Sequence, residues 1–167
     1  MNRPGELGFM HTFLPGCSTR TLLFLHGPGG NENDLVLLGR QLDPDANLLV
    51  LRGKAVENGM PRSFQRLAEG IFDEQSLIRR THELADFIEQ ASAKYRLNRQ
   101  NLFAVGDSNG ANIVGSLLLL RPQTLAGAKF QTIVSECSKK FRKVIAGQRR
   151  SHVGSPFRGD MEFALLS

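Results

Sequence analysis

Cysteine is scarce in this chain, with Cys17 and Cys137 its two representatives. Their spacing fits no metal-ligand pattern and builds no disulfide framework, so no metal is expected and a reducing, cytoplasmic setting is. Long apolar runs are missing as well: none approaches the ~20 residues that cross a bilayer, which excludes a transmembrane helix on sequence grounds. The first residues carry no charged stretch followed by an apolar run and a small-residue cleavage site, so no secretory signal is expected. Repeats and low-complexity stretches are absent, which leaves an ordinary globular composition.

Charge of one sign is in excess, but not everywhere. The chain carries a net charge of +5, and residues 129–167 hold eight Lys/Arg against three acids, which accounts for all of it. Residues 1–128 are therefore neutral. A basic tail of this kind binds anionic surfaces nonspecifically, but no aromatic stacking pattern accompanies it, and no specific nucleic-acid partner is expected. Ile133, Val134, Cys137, Phe141, Val144 and Ile145 recur at helical spacing beside Lys139, Lys140, Arg142 and Lys143. That spacing gives one expectation for the tail: a basic amphipathic helix that contacts anionic lipid or an acidic partner.

The first 128 residues alternate short apolar runs with longer periodic ones, as βαβ units around a parallel sheet do. Thr21–Leu25 (TLLFL), Asn47–Leu51 (NLLVL) and residues 101–105 (NLFAV) read as buried strands. Helices are expected over 33–42, from the Asp73 N-cap to about Tyr95, and over 111–120. Residues 8–14 are expected to form a hairpin with Thr21–Leu25 across Pro15-Gly16, and 52–70 to form a loop punctuated by Gly53, Gly59, Pro61 and Gly70.

Gly106-Asp107-Ser108-Asn109-Gly110 follows the third strand and precedes the apolar helix. A serine placed two residues from glycine on each side suits a sharp strand-to-helix turn, where any side chain at the flanking positions would collide. The turn lifts the hydroxyl above the carboxyl edge of the sheet and aims the next N–H, that of Asn109, at the same spot. Ser108 is thus the candidate nucleophile and Asn109 a candidate oxyanion donor. A second glycine-rich turn, His26-Gly27-Pro28-Gly29-Gly30, ends the first strand and should lie beside it. Its spacing matches neither the P-loop nor the dinucleotide-binding pattern. His26 reads as a hydrogen-bonding residue of that loop, with Gly27, Gly106 and Gly110 as its structural companions.

The runs LLFLHGPGGNENDL, LRG…ENGMPR, EGIFDEQSLIRRTHELADFI and VGDSNGANI together resemble the bacterial phospholipase/carboxylesterase family of α/β-hydrolases over about residues 8–128. The resemblance implies an α/β-hydrolase fold, three αβα layers about a mostly parallel sheet. It also implies hydrolysis of carboxylic esters without a cofactor, by a Ser-Asp-His triad and an acyl-enzyme, on a small-molecule ester. By the same resemblance Ser108 is the nucleophile, the N–H of Asn109 an oxyanion donor, and the loop over 57–66 a wall of the substrate pocket.

Three features depart from that pattern. Pro28 stands directly after His26-Gly27, where such hydrolases use a backbone N–H; proline has none, so the position alone is retained and Gly29 is the substitute. Asp107 brings negative charge next to the nucleophile. After Ala128 the resemblance ends, and the triad candidates that remain, His152 and Asp160, occur in the reverse of the family order of acid before histidine. The change of composition at the same point leads to the expectation of a truncated or frame-shifted end, with the last strands lacking and residues 129–167 a tail. It also leads to the expectation of self-association through an exposed sheet edge. An alternative to the esterase is a non-catalytic α/β module with that basic tail.

Overall fold

The computed structural model describes residues 7–130. The sheet is built from five segments: β1 (His11–Leu14), β2 (Thr21–Leu25), β3 (Asn47–Leu51), β8 (Leu102–Gly106) and β9 (Gly127–Phe130). Between them lie four short strands, β4 (Ala55–Glu57), β5 (Met60–Arg62), β6 (Arg66–Ala68) and β7 (Ile71–Phe72), and three helices. The helices are α1 (Val36–Leu42), α2 (Glu74–Tyr95) and α3 (Asn109–Leu120).

The near-continuous apolar runs of β2, β3 and β8 place them in the middle of the sheet, buried on both faces except at Phe103 of β8. The strand order is β1-β3-β2-β8-β9, with β2–β3, β2–β8 and β8–β9 parallel and β1–β3 antiparallel. Parallel pairing requires a crossover between successive strands. The segment from β3 through α2 accordingly passes over β2 to reach β8. Alternate side chains sort to opposite faces: Leu23, Leu25, Leu49, Leu51 and Ala104 meet α2 and α3, whereas Phe24, Leu48, Val50 and Val105 meet the α1 side. This is the three-layer αβα arrangement implied by the resemblance. Full burial of each large aliphatic side chain contributes roughly 1.5–3 kcal/mol, and the α2/α3 face carries most of it.

Asp73 caps α2 as expected, its carboxylate accepting from Ser76 N at 2.9 Å. Thr81 on α2 and Ser116 on α3 join their buried hydroxyls at 2.9 Å, so the two helices meet through a paired polar contact as well as through apolar surface. Where α1 runs into β3, the Arg20 guanidinium bonds Asp43 at 2.6 and 3.1 Å. That bond holds the Asp43 carboxyl below the usual carboxylate range.

Several expectations need correction. The hairpin of 8–14 with Thr21–Leu25 does not form: β1 pairs with β3, in the register His11↔Leu51 to Leu14↔Leu48. The turn after β1 is drawn to the entrance of β3 instead, because Asn47 Oδ1 accepts from Gly16 N and Asp45 O accepts from Ser18 N. Residues 52–70 are not a plain loop but two hairpins, β4–β5 and β6–β7. The first turns at Asn58-Gly59, both with positive φ (51° and 76°), as a two-residue hairpin turn requires. The first helix starts at Val36 rather than at 33, since the Asn31 and Asp34 side chains bond the backbone and each other in a turn before it. The parallel pairing of β9 with β8 continues to Phe130, past the compositional boundary at 128.

Candidate active site

Ser108 occupies the N-cap position of α3, directly after β8, with φ 48° and ψ −111°. An L-residue holds such angles only where its surroundings impose them, at a cost of about 1–3 kcal/mol. The surroundings here are specific. A Cβ on Gly106 would stand 2.6 Å from Ala111 Cα, and one on Gly110 would stand 2.2 Å from Leu25 O. The first contact is the closeness of the turn itself; the second is the closeness of α3 to the end of β2. The turn is held by Gly110 N–H donating to Asp107 O at 2.8 Å and Asp107 N–H donating to Leu25 O at 3.0 Å.

The loop after β2 lies alongside. The position a Gly27 Cβ would take is 3.5 Å from Ser108 Cβ, so the two glycine-rich turns are neighbours as expected. His26, 2% exposed, is the brace of that loop. Gly53 N–H donates to its Nε2 at 3.0 Å, which requires a bare Nε2, so the proton sits on Nδ1 and is donated to Gly27 O at 2.6 Å. His26 is therefore fully engaged in shaping the turn and cannot serve as a base for Ser108.

The donors of this loop are committed elsewhere. Pro28 has no N–H, the N–H of Gly29 donates to Pro61 O at 2.9 Å, and that of Gly30 donates to Gly27 O at 3.2 Å. Gly29 as the substitute donor is thus corrected by the structure: β5 has taken its N–H. On the elbow side, Asn109 N–H has no hydrogen-bond partner among the described residues, as a first-turn amide has none within its helix.

The Asp107 side chain reaches the loop after β2. Its Oδ2 lies 2.6 Å from the position a Gly27 Cβ would take. Glycine at 27 is therefore what makes room for this carboxylate.

The hairpins over 55–72 stand against the same edge. Met60 packs over Gly29, and Glu57 faces both Arg62 (3.1 Å) and Arg66 (2.7 Å), which ties β4, β5 and β6 together. Nearby, buried Glu32 pairs with Arg52 at 2.5 Å at the end of β3. A contact that the sequence reading missed joins this wall to the elbow: Asn109 Oδ1 accepts from Ser63 N–H at 2.6 Å, with both residues buried. The two groups are 46 residues apart in the chain, and no local signal announces the bond.

His11 and His82 also stand apart from Ser108. His11 bonds Phe9 O and the Tyr95 hydroxyl, and His82 lies on the exposed side of α2 near Arg121. Among the described residues no imidazole is bonded to Ser108. His152 and Asp160, with the rest of the expected tail, lie outside the described residues. Among the described residues no group of three or more His, Cys, Asp or Glu is placed to hold a metal ion. No described helix is long and apolar enough to cross a membrane.

Comparison with known proteins agrees with this geometry. No protein-family model matches the chain. It is 55% identical over 118 residues to MhqD of Bacillus subtilis, a protein named as a hydrolase, with 71% of this chain and 59% of that one covered. The chain thus spans well under two thirds of that curated relative. The crystal structure of the Bacillus cereus carboxylesterase matches at TM-score 0.75 and 38% identity, covering 83% of this chain and 80% of the other. A carboxylesterase from Mesorhizobium loti matches at TM-score 0.74 and 32% identity, covering 78% and 63%. Taken with the elbow after β8 and the loop after β2, these likenesses establish that the chain belongs to the phospholipase/carboxylesterase family of α/β-hydrolases.

Proposed function

We propose that the protein is a serine hydrolase of carboxylic esters, with Ser108 as the nucleophile and a small-molecule ester as substrate. In this reading the Ser108 hydroxyl attacks the ester carbonyl and an acyl-enzyme forms. The Asn109 N–H, at the positive end of α3, stabilises the oxyanion that develops. The observation that carries the proposal is the strained backbone of Ser108 over the sheet edge, maintained by two glycines that have no room for a Cβ. The activity needs no cofactor in this reading, and a cytoplasmic placement, consistent with the two unpatterned cysteines, belongs to the same proposal.

Hydrolysis of p-nitrophenyl butyrate by the full chain tests the reading. Turnover that disappears in Ser108→Ala supports it; turnover that survives the substitution moves the chemistry elsewhere. A second reading is favoured by one observation, the lack of an imidazole bonded to Ser108 among the described residues. It is a binding module that keeps the elbow without turnover, and a well-folded wild-type chain inert to the ester selects it. An unactivated serine is a poor nucleophile at neutral pH.

Self-association belongs here as well. Phe103, on the α1-side face of β8, is 37% exposed. Association of copies is proposed through the sheet edge, with this aromatic beside it. Light scattering that shows a monodisperse monomer overturns this part.

A further inference from the structure

The loop over 28–30 offers no oxyanion donor: one residue lacks an N–H and the other two have spent theirs on Pro61 O and Gly27 O. A hole with a single donor loses about 100- to 1000-fold in rate relative to one with two. The side chain of Asn109 reaches the hairpin that has captured Gly29: it bonds Ser63, two residues on from Pro61. Its Oδ1 is fixed as the acceptor, because the partner at 2.6 Å is the Ser63 N–H, which can only donate. The carboxamide cannot then be flipped, and its Nδ2, with two N–H groups, finds no acceptor among the described residues. The residue is 5% exposed, yet Nδ2 is not among the side-chain atoms sealed from solvent without a partner. A buried carboxamide is thus held by one end, with its donor end unpaired and not sealed from solvent, one residue from the nucleophile.

We propose that the Asn109 carboxamide supplies the second oxyanion donor, in place of the N–H that Pro28 lacks. This rests on the esterase reading for its catalytic meaning, but the assignment is to a binding group that takes a carbonyl or carboxylate oxygen. Backbone N–H and side-chain Nδ2 of one residue then form the hole, and the Ser63 N–H is the positioning group that fixes the amide. The sequence expectation gave Asn109 only its backbone N–H.

Two measurements on the full chain test the assignment. In the first, the 15N-labelled protein is titrated with butyrate, whose carboxylate has the oxygen geometry of the product. The side-chain amide pair that is missing from Asn109→Asp should shift saturably. A pair that stays still, or shifts confined to the backbone amides of 27–30, overturns the proposal. This measurement does not need turnover, so a chain inert to esters whose Asn109 amide still responds refutes the esterase reading and keeps the donor.

In the second, Asn109→Asp keeps an acceptor for Ser63 N–H and loses the donor. It should slow p-nitrophenyl butyrate hydrolysis by about 100- to 1000-fold while the Ser63 amide resonance stays in place. Adding Pro28→Gly to that variant should recover more than it gains in the wild type, since a backbone donor then fills the vacancy. Equal rates in wild type and Asn109→Asp overturn the proposal.

Discussion

The two glycine-rich turns at the carboxyl edge have opposite characters. The elbow after β8 adds steric necessity to its two backbone bonds: Gly110 lies against Leu25 O and Gly106 against Ala111, and the strain falls on Ser108. The turn after β2 is fixed by hydrogen bonds: His26 to Gly27 O and Gly53 N–H, Gly29 to Pro61 O, Gly30 to Gly27 O. The elbow's two backbone bonds, from Gly110 N–H to Asp107 O and from Asp107 N–H to Leu25 O, leave the N–H of Asn109 available. The turn after β2 spends the N–H groups of Gly29 and Gly30, and Pro28 has none. The same edge of one sheet therefore presents a ready donor on one side and a spent loop on the other.

Substitutions on each side should reveal this difference. The largest effect belongs to Gly110→Ala, whose new methyl meets backbone rather than a movable side chain. Urea unfolding should show a loss of more than about 3 kcal/mol, and a near-neutral result would refute the contact-held description. Next comes His26→Ala on the other turn, which leaves Gly53 N–H and Gly27 O without their partner. A loss of about 2 kcal/mol is expected from the orphaned buried groups, with the elbow preserved. Smallest, and of opposite sign, is Ser108→Gly. Relief of the positive φ should raise stability by about 1 kcal/mol while any reaction at the site is lost. A destabilised Ser108→Gly would mean that the serine is not strained.

The sequence made the elbow legible because its requirements are local: a strand, five residues with glycine at fixed offsets, and a helix. The strands Thr21–Leu25 and Asn47–Leu51 were legible for a related reason, since runs that are apolar after their first residue belong in the middle of a parallel sheet. What was not legible is long-range. The pairing of β1 depends on Asn47 and Asp45 capturing the turn at 16–18, a choice that neither segment announces alone. The hairpin at Asn58-Gly59 did carry a local signal, the Asn-Gly pair, which the richness of the segment in loop residues hid. The bond from Ser63 to Asn109 and the capture of Gly29 by Pro61 both arise from the hairpins closing over the edge, and only the folded arrangement shows them.

Reaction of the full chain with a fluorophosphonate, followed by mapping of the modified peptide, tests the central claim most directly. The account predicts a single covalent adduct on Ser108, absent from Ser108→Ala at unchanged folding. A folded wild-type chain that takes no adduct, or takes it on another residue, contradicts the assignment of Ser108 as an activated nucleophile.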